Sequence, residues 1–221
     1  GSNICENLAN NNIKVLFTYC KNKKKAEKLL KKIRRKGGQA FTKRLDISNL
    51  RSIKKTFESF YKDHKKIDIL INNSGISQIK QFTDITAKDF DRIIDINLKG
   101  PFFLTKLFLK KQKKTNWCRI INISSISGLK GGRMQIHYAM TKAGILSITK
   151  SLDNIYGRKN FTINAIAPGL IDTGMIKKEL RMKKKNNLKI GKVKDANDVS
   201  KVINKIISDK FKSQSGKIFK L

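Results

Sequence analysis

The stretch Arg119-Ile120-Ile121-Asn122-Ile123-Ser124-Ser125, followed thirteen residues after its second serine by Tyr138-Ala139-Met140-Thr141-Lys142, decides how this chain is read. The first part is a short apolar, β-branched run of the kind buried in parallel sheets, and it ends at two hydroxyls. In the second part a tyrosine and a lysine four apart share one helix face, about one turn from each other. A phenol with an ordinary pKa near ~10 is a poor acid–base catalyst at neutral pH. A neighbouring ammonium favours the phenolate and lowers that pKa. A serine arriving from the strand end then hydrogen-bonds a substrate carbonyl beside the phenol. Tyr-x-x-x-Lys alone is a weak signal in so lysine-rich a chain, and its surroundings carry the reading.

Those surroundings fall in order. Upstream, Ile67-Asp-Ile-Leu-Ile-Asn72-Asn73-Ser74-Gly75 is an apolar strand breaking into a glycine-ended turn, and Asp95-Ile96-Asn97-Leu98-Lys99-Gly100 lies in a helical stretch. Downstream come Asn164-Ala-Ile-Ala-Pro168-Gly169 and Thr173. With these residues the chain resembles the short-chain dehydrogenase/reductase family. It has that family's Asn-Asn-Ala-Gly motif with Ser74 in place of Ala, its asparagine, its Ser…Tyr-x-x-x-Lys set and its Pro-Gly motif. The likeness spans nearly all 221 residues, and within the family it is greatest to the 3-oxoacyl-[acyl-carrier-protein] reductases.

The resemblance implies NADPH-dependent reduction of a carbonyl, with acyl carrier protein as the carrier of a 3-oxoacyl substrate in fatty-acid biosynthesis. By the same resemblance Tyr138 is the general acid. Lys142 lowers its pKa and bonds the nicotinamide ribose. Ser125 orients the substrate, while Ser124 is structural. Asn97 kinks its helix and holds a water leading from Lys142 to solvent. His137, about 100° round the helix from Tyr138, reads as a bystander. For the cofactor, Asp46 and Ile47 fall at adenine, Asn73 and Gly75 beside the adenine ribose strand end, and Pro168, Gly169, Ile171 and Thr173 near the carboxamide. Gly1 aligns with the last glycine of the phosphate-binding loop. The segment Cys20-Lys21-Asn22-Lys23-Lys24 has no carboxylate before Glu27, which favours NADPH over NADH, because an acidic residue there binds the 2′-hydroxyl of NAD. Two rivals remain: the same chemistry on a free small alcohol or ketone, and a noncatalytic nucleotide-binding relative.

Strand and helix signals alternate, the pattern of an α/β domain whose parallel sheet is doubly wound, Rossmann-type, as one domain over residues 1–221. Strands are expected at Lys14–Cys20, Phe41–Asp46, Ile67–Ile71, Arg119–Ser124, Phe161–Ala167 and Lys217–Leu221. Helices are expected at Ala26–Lys36, Leu50–His64, Ala87–Lys113, Tyr138–Tyr156 and Asn197–Ser208. Met175–Lys194, lysine-rich and without apolar period, stands where the family has its substrate lid. The family's opening strand and Thr-Gly-x-x-x-Gly-x-Gly loop have no counterpart before Gly1. The chain therefore reads as a fragment of a longer frame, missing a central strand and a C-terminal tail.

Composition excludes several classes. No apolar run reaches eighteen residues, so no transmembrane helix is indicated, and the N-terminus shows no signal-peptide pattern. Cys5, Cys20 and Cys118 are scattered and odd in number, which fits a reducing cytoplasm. Two histidines assemble no metal-ligand spacing. The formal charge of +34 is spread along the chain, with Lys, Asn and Ile abundant together and Pro scarce, as in A/T-rich coding sequence. It reads as solvated surface, with no specific nucleic-acid partner, although nonspecific, salt-sensitive polyanion binding follows from such a field. Some of the apolar face of Phe90–Lys113 must cover the sheet; the resemblance implies that this helix and the Tyr138/Lys142 helix also form an interface between copies, a homo-oligomer and specifically a tetramer. Lys113, Lys114, Arg158 and Lys159 are candidates for a basic rim that docks the acidic carrier protein.

Overall fold

The computed structural model describes residues 1–112, 117–172, 180, 181, 184 and 191–221. Elements alternate as expected: α1 (Ser2–Asn10), β1 (Val15–Tyr19), α2 (Lys23–Arg35), β2 (Ala40–Arg44), α3 (Leu50–His64), β3 (Ile69–Asn72) and α4 (Ala87–Ile94). A π-turn at Asp95–Lys99 follows, then α5 (Gly100–Lys110), β4 (Cys118–Ile123), α6 (Ser127–Lys130), α7 (Ile136–Tyr156) and β5 (Phe161–Ala167). The short β6 (Leu170–Ile171) and β7 (Val193–Lys194), α8 (Ala196–Ile207) and β8 (Ile218–Lys220) complete the described chain.

Local chemistry sets these boundaries. Asn22 begins α2 by accepting a hydrogen bond from Lys25 N, Asn49 does the same for Ser52 N at α3, and Thr86 with Asp89 forms a reciprocal cap on α4. After α2, Gly37 takes φ +81°, a left-handed conformation that costs glycine little, and turns the chain into β2.

All strand pairs are parallel, and β3, β4, β5 and β8 form one continuous sheet in that order. Successive strand residues face opposite layers. Ile120 and Ile163 pack towards Phe57 and Phe108 of α3 and α5, whereas Ile121 and Ile166 pack towards Leu8, Ile33 and Ile203 of α1, α2 and α8. β5 is buried on both faces along all seven residues, apolar except for Thr162 and Asn164. The architecture is the doubly wound α/β domain that the alternation implies.

The sheet is interrupted at one place. β1 pairs only with β2, and β3 only with β4, so among the described residues nothing bonds the two edges that face each other. Between them lies a slot of about 760 Å³ walled by β1, by β3 and by Leu8, Phe57, Leu104 and Phe108. The strand order across it is β2-β1-slot-β3-β4-β5-β8. Gly1 and Asn73 lie at one end of it.

Candidate active site

The ends of β4 and β5 deliver the first functional groups. Ser124 N donates to Ile166 O at 2.7 Å, and Ile126 N donates to Pro168 O at 2.9 Å, so the two strand exits are tied side by side. The two serines then divide their tasks. Ser124 Oγ is buried and donates to Lys142 O at 2.7 Å, fastening the strand to α7. Ser125 Oγ accepts from Ser127 N at 3.1 Å, which leaves its own hydrogen to donate into a cavity of about 310 Å³.

Tyr138 and Lys142 reach the same cavity from the first two turns of α7, and the Lys142 ammonium lies 5.7 Å from the Tyr138 ring centre. Lys142 is 5 % exposed. Burial pushes its pKa down from 10.5 to about 8. Its Nζ donates to Ile123 O at 2.9 Å; an ammonium has three donors, so two remain for a ligand.

Asn97 sits in the π-turn and is buried. Its amide grips the loop after β3: Oδ1 accepts from Ile76 N at 2.8 Å, and Nδ2 donates to Ile76 O at 2.9 Å and to Thr141 Oγ1 at 3.2 Å. The expected helix distortion is therefore present as a π-turn, and the side chain is spent on the backbone of Ile76 and on α7.

Two buried polar networks were not singled out in the sequence. One crosses the sheet. Asn72 Nδ2 donates to Thr105 Oγ1 at 2.9 Å and to Asn122 Oδ1 at 2.8 Å, and Asn122 Nδ2 donates to Thr149 Oγ1 at 2.9 Å. An asparagine inside the apolar run of β4 was the available signal for it. The second network joins α7 to the segment after β3 and reaches the cavity only through Gln135. His137, 2 % exposed, shares a 3.0 Å hydrogen bond between Nε2 and Gln78 Oε1, and Gln78 Nε2 donates to Asp89 Oδ1 at 2.7 Å. Gln135 Nε2 donates to Ser77 Oγ at 2.8 Å. His137, expected as a bystander, does not line the cavity; its ring on α7 bonds Gln78 of the 77–80 loop. Asp89 is held below the usual carboxylate range by hydrogen bonds, first from Gln78, then from Lys80 and Thr86.

The expected cofactor residues divide into two groups. Gly1, Asn73, Gly75, Pro168, Gly169 and Ile171 line the cavity with Ser125, Tyr138 and Lys142. Lys21, Asn22 and Asp46 stand apart from it, at the ends of β1 and β2. Ile47 is buried against Leu45 and Ile53, which leaves its backbone rather than its side chain to meet a ligand. Thr173 and most of the 175–194 segment lie outside the described residues, as do Lys113 and Lys114.

The arrangement suits a nicotinamide cofactor. A Cβ on Gly75 would come within 3.4 Å of Asn97 Oδ1 and 3.5 Å of Lys142 Nζ, so glycine keeps that wall open beside the free donors of Lys142.

One expectation is corrected. Arg158 and Lys159 precede β5, whereas the cavity lies past its far end at Pro168. Tyr138 is near the start of the 21-residue helix α7 and Arg158 is beyond its end, a separation of about 30 Å at 1.5 Å per residue. These two residues are not on the rim of the site.

Residues 1–184 match the family model described as short chain dehydrogenase. The chain belongs to the short-chain dehydrogenase/reductase family. It is an oxidoreductase of that family, whose reaction is NAD(P)-dependent reduction of a carbonyl. It is 34% identical to the 3-oxoacyl-[acyl-carrier-protein] reductase FabG of Aquifex aeolicus (strain VF5), covering 92% of this chain and 83% of that protein. It is 33% identical to the acetoacetyl-CoA reductase of Cupriavidus necator, over 80% of this chain and 72% of that one. Two crystal structures share the fold. A dehydrogenase/reductase from Sinorhizobium meliloti 1021 superposes with a TM-score of 0.90 at 23% identity, covering 100% of this chain and 88% of that one. A short chain dehydrogenase from Burkholderia cenocepacia J2315, in complex with NADP, gives 0.90 at 21%, covering 100% and 91%. Among the described residues no helix is long and apolar enough to cross a membrane.

Proposed function

We propose that this reductase uses NADPH to reduce the 3-oxo group of an acyl thioester carried on acyl carrier protein. The observation that carries the reading is the convergence of Ser125, Tyr138 and Lys142 on one cavity at the carboxyl ends of β4 and β5, with Asn97 behind them. The bound cofactor supplies the hydride. Ser125 and the Tyr138 hydroxyl hydrogen-bond the carbonyl oxygen, and Tyr138 gives it a proton. Lys142 stabilises the phenolate left behind and directs its two remaining donors to the ribose diol, while Asn97 keeps the Ile76 loop and α7 in register around them. Pro168, Gly169 and Ile171 would wall the nicotinamide end, and Asn73 and Gly75 the side towards the adenine ribose.

The thioester substrate is supported by the relatives, one named for 3-oxoacyl groups on a carrier protein and one for acetoacetyl-CoA. NADPH over NADH is supported by the basic segment after β1, which offers Lys21 where an NAD enzyme presents a carboxylate. With Arg158 and Lys159 removed from the rim, the exposed Lys130 and Arg133, on the segment between Ser127 and Gln135 that bounds the cavity, take the docking role. Exposed Phe90, Phe102, Ile136 and Met140 on α4, α5 and α7 support association with further copies of the chain, as a tetramer.

The test compares NADPH oxidation with a 3-oxoacyl group on carrier protein, with acetoacetyl-CoA and with a free small ketone. The reading expects the highest kcat/KM for the carrier-linked substrate, and a raised KM for it alone after charge reversal at Lys130 and Arg133. Turnover of the free ketone above both thioesters overturns the substrate assignment.

A further inference from the structure

Two segments that the proton-transfer set does not use are stitched together beside Tyr138. One runs from Ser77 to Lys80 after β3, and the other from Met134 to His137 into α7. Three hydrogen bonds join them. Lys80 N donates to Met134 O at 2.9 Å, Gln135 Nε2 donates to Ser77 Oγ at 2.8 Å, and His137 Nε2 meets Gln78 Oε1 at 3.0 Å. Met134 holds φ +58° where this seam begins, a left-handed conformation that residues with a side chain rarely adopt. Ile76, just before the first segment, and Gln135, in the second, line the cavity with Ser125 and Tyr138. Asn97 fixes this wall at Ile76; beyond that point the seam holds it.

The seam also fixes the state of the imidazole. Gln78 Nε2 donates to Asp89 Oδ1 at 2.7 Å, so the Gln78 carbonyl oxygen faces His137 and can only accept. His137 Nε2 must therefore carry the hydrogen. Nδ1 is buried with no partner among the described residues, a bare acceptor in the neutral ring. Protonation would add a buried N–H with nothing to receive it. Asp89 is engaged at both oxygens, by Gln78 on one and by Lys80 and Thr86 on the other. Burial lowers the pKa of the ring from 6.5; Asp89 acts against that shift and Lys80 with it. Of the other charges on elements packed against α7, Lys88, Asp91, Arg92, Lys99 and Lys130 are exposed, and Asp95 is bonded to Lys99 at 3.0 Å.

We propose that His137 is a positioning residue for the carbonyl substrate: as the neutral Nε2–H tautomer it holds the 77–80 segment against α7 through Gln78, and with it the Ile76–Gln135 wall of the cavity. Its protonation opens the seam and loosens that wall. The residue next to the catalytic tyrosine thus governs how firmly the substrate is held without touching it. The inference rests on the carbonyl-reducing site and is independent of the choice of thioester.

Nitrogen-15 spectroscopy reads the tautomer directly, because the chain has two histidines and His64→Gln leaves one. The remaining ring should carry its hydrogen on Nε2 at neutral pH and stay neutral down to about pH 6. Kinetics then use NADPH with whichever of the carrier-linked 3-oxoacyl group, acetoacetyl-CoA and the free ketone the unmodified chain reduces best. His137→Phe keeps a packed ring without the donor. It should raise substrate KM about tenfold or more, with kcat within about threefold and NADPH affinity within about twofold. His137→Gln returns an uncharged donor near the place of Nε2 and should keep KM close to that of the unmodified chain. KM of the unmodified chain should climb between about pH 6 and 5, and that climb should be missing in His137→Gln. If circular dichroism shows His137→Phe unfolded, the spectrum and the His137→Gln pH profile decide. An Nδ1–H tautomer, an ordinary titration near 6.5, the same KM profile in His137→Gln, or equal losses in KM, kcat and NADPH affinity each overturn the role of His137. Preference for the free ketone overturns the thioester reading alone, and a chain that reduces none of the three takes this inference down with it.

Discussion

The two halves of this sheet are built to different standards. On one side of the slot, β3, β4, β5 and β8 are bonded edge to edge, and all of β5 is inaccessible to solvent. On the other side, β1 and β2 form an isolated pair whose inner edge faces a 760 Å³ slot. The closed half holds Ser125, Tyr138 and Lys142, pinned by Ser124, Asn97 and the asparagine ladder. The open half holds Lys21 and Asp46 on a charged, exposed rim. Proton transfer needs groups fixed to fractions of an ångström, and close packing with the hydrogen bonds of Ser124, Asn97 and Asn122 supplies that. Phosphate recognition by long cationic side chains tolerates a looser base. The difference teaches that disturbance in the closed half should strike turnover, and disturbance in the open half should strike affinity and stability.

The largest expected effect lies in the closed half. Tyr138→Phe removes the proton donor and keeps the packed ring, so kcat should fall by about 10²–10⁴ while NADPH affinity, read by fluorescence, changes little. Near-parental turnover would show that the proton comes from elsewhere, and a matching loss of cofactor affinity would erase the contrast between halves. Next come two phenylalanines. Phe161, 1 % exposed in the closed half, should cost about 3–5 kcal/mol on truncation to alanine in urea unfolding. Phe17, 9 % exposed and already bordering the slot, should cost only about 1–2 kcal/mol. Equal losses would mean that the slot is collapsed in solution.

A third test sharpens the comparison by filling the slot. Joining a five-residue apolar strand to Gly1 through a glycine-containing turn should pair both free edges and raise the thermal midpoint by about 5–10 °C. An unchanged midpoint would deny that the slot accepts a strand. The last test concerns Lys142. Its folded pKa of about 8 lies below the ordinary 10.5, so the unfolded chain binds the extra proton between those values. Stability should consequently rise relative to Lys142→Met as pH increases from 8 to 10.5, the burial penalty being fully present below that window. Parallel pH profiles for the two proteins would contradict burial of the charge.

Much of this was legible before any coordinates. The strand runs and helix starts follow from periodicity, and the Ser125–Tyr138–Lys142 set from the motifs that resemble the family, because a strand exit and one helical face are local geometry. Spacing also distinguished the two serines, and in the structure Ser124 Oγ is buried on Lys142 O while Ser125 lines the cavity. What escaped is what only tertiary structure brings together. His137 looks idle in a helix, and its meaning comes from Gln78 and Asp89 on other segments. Arg158 and Lys159 follow the helix that carries Tyr138, and nearness in sequence suggested nearness in space, although a 21-residue helix crosses the whole sheet. Thr173, Lys113 and Lys114 fall outside the described residues.

The π-turn at Asp95–Lys99 carries a consequence for length rather than identity. A π-turn holds one residue more than the α-helix it interrupts. Deleting any single residue between Ile94 and Gly100 would close the turn into regular α-helix and leave α5 on its own face. Phe108 and Thr105 would keep their places, while the turn that aims Asn97 would be lost and Asn97 would release Ile76 and Thr141. Exposed positions in the segment, such as Lys99, can exchange their side chains freely, but the tally of residues across it is fixed. In a gene drifting under strong base-composition bias, this span should accumulate substitutions while shedding every in-frame gain or loss of a codon.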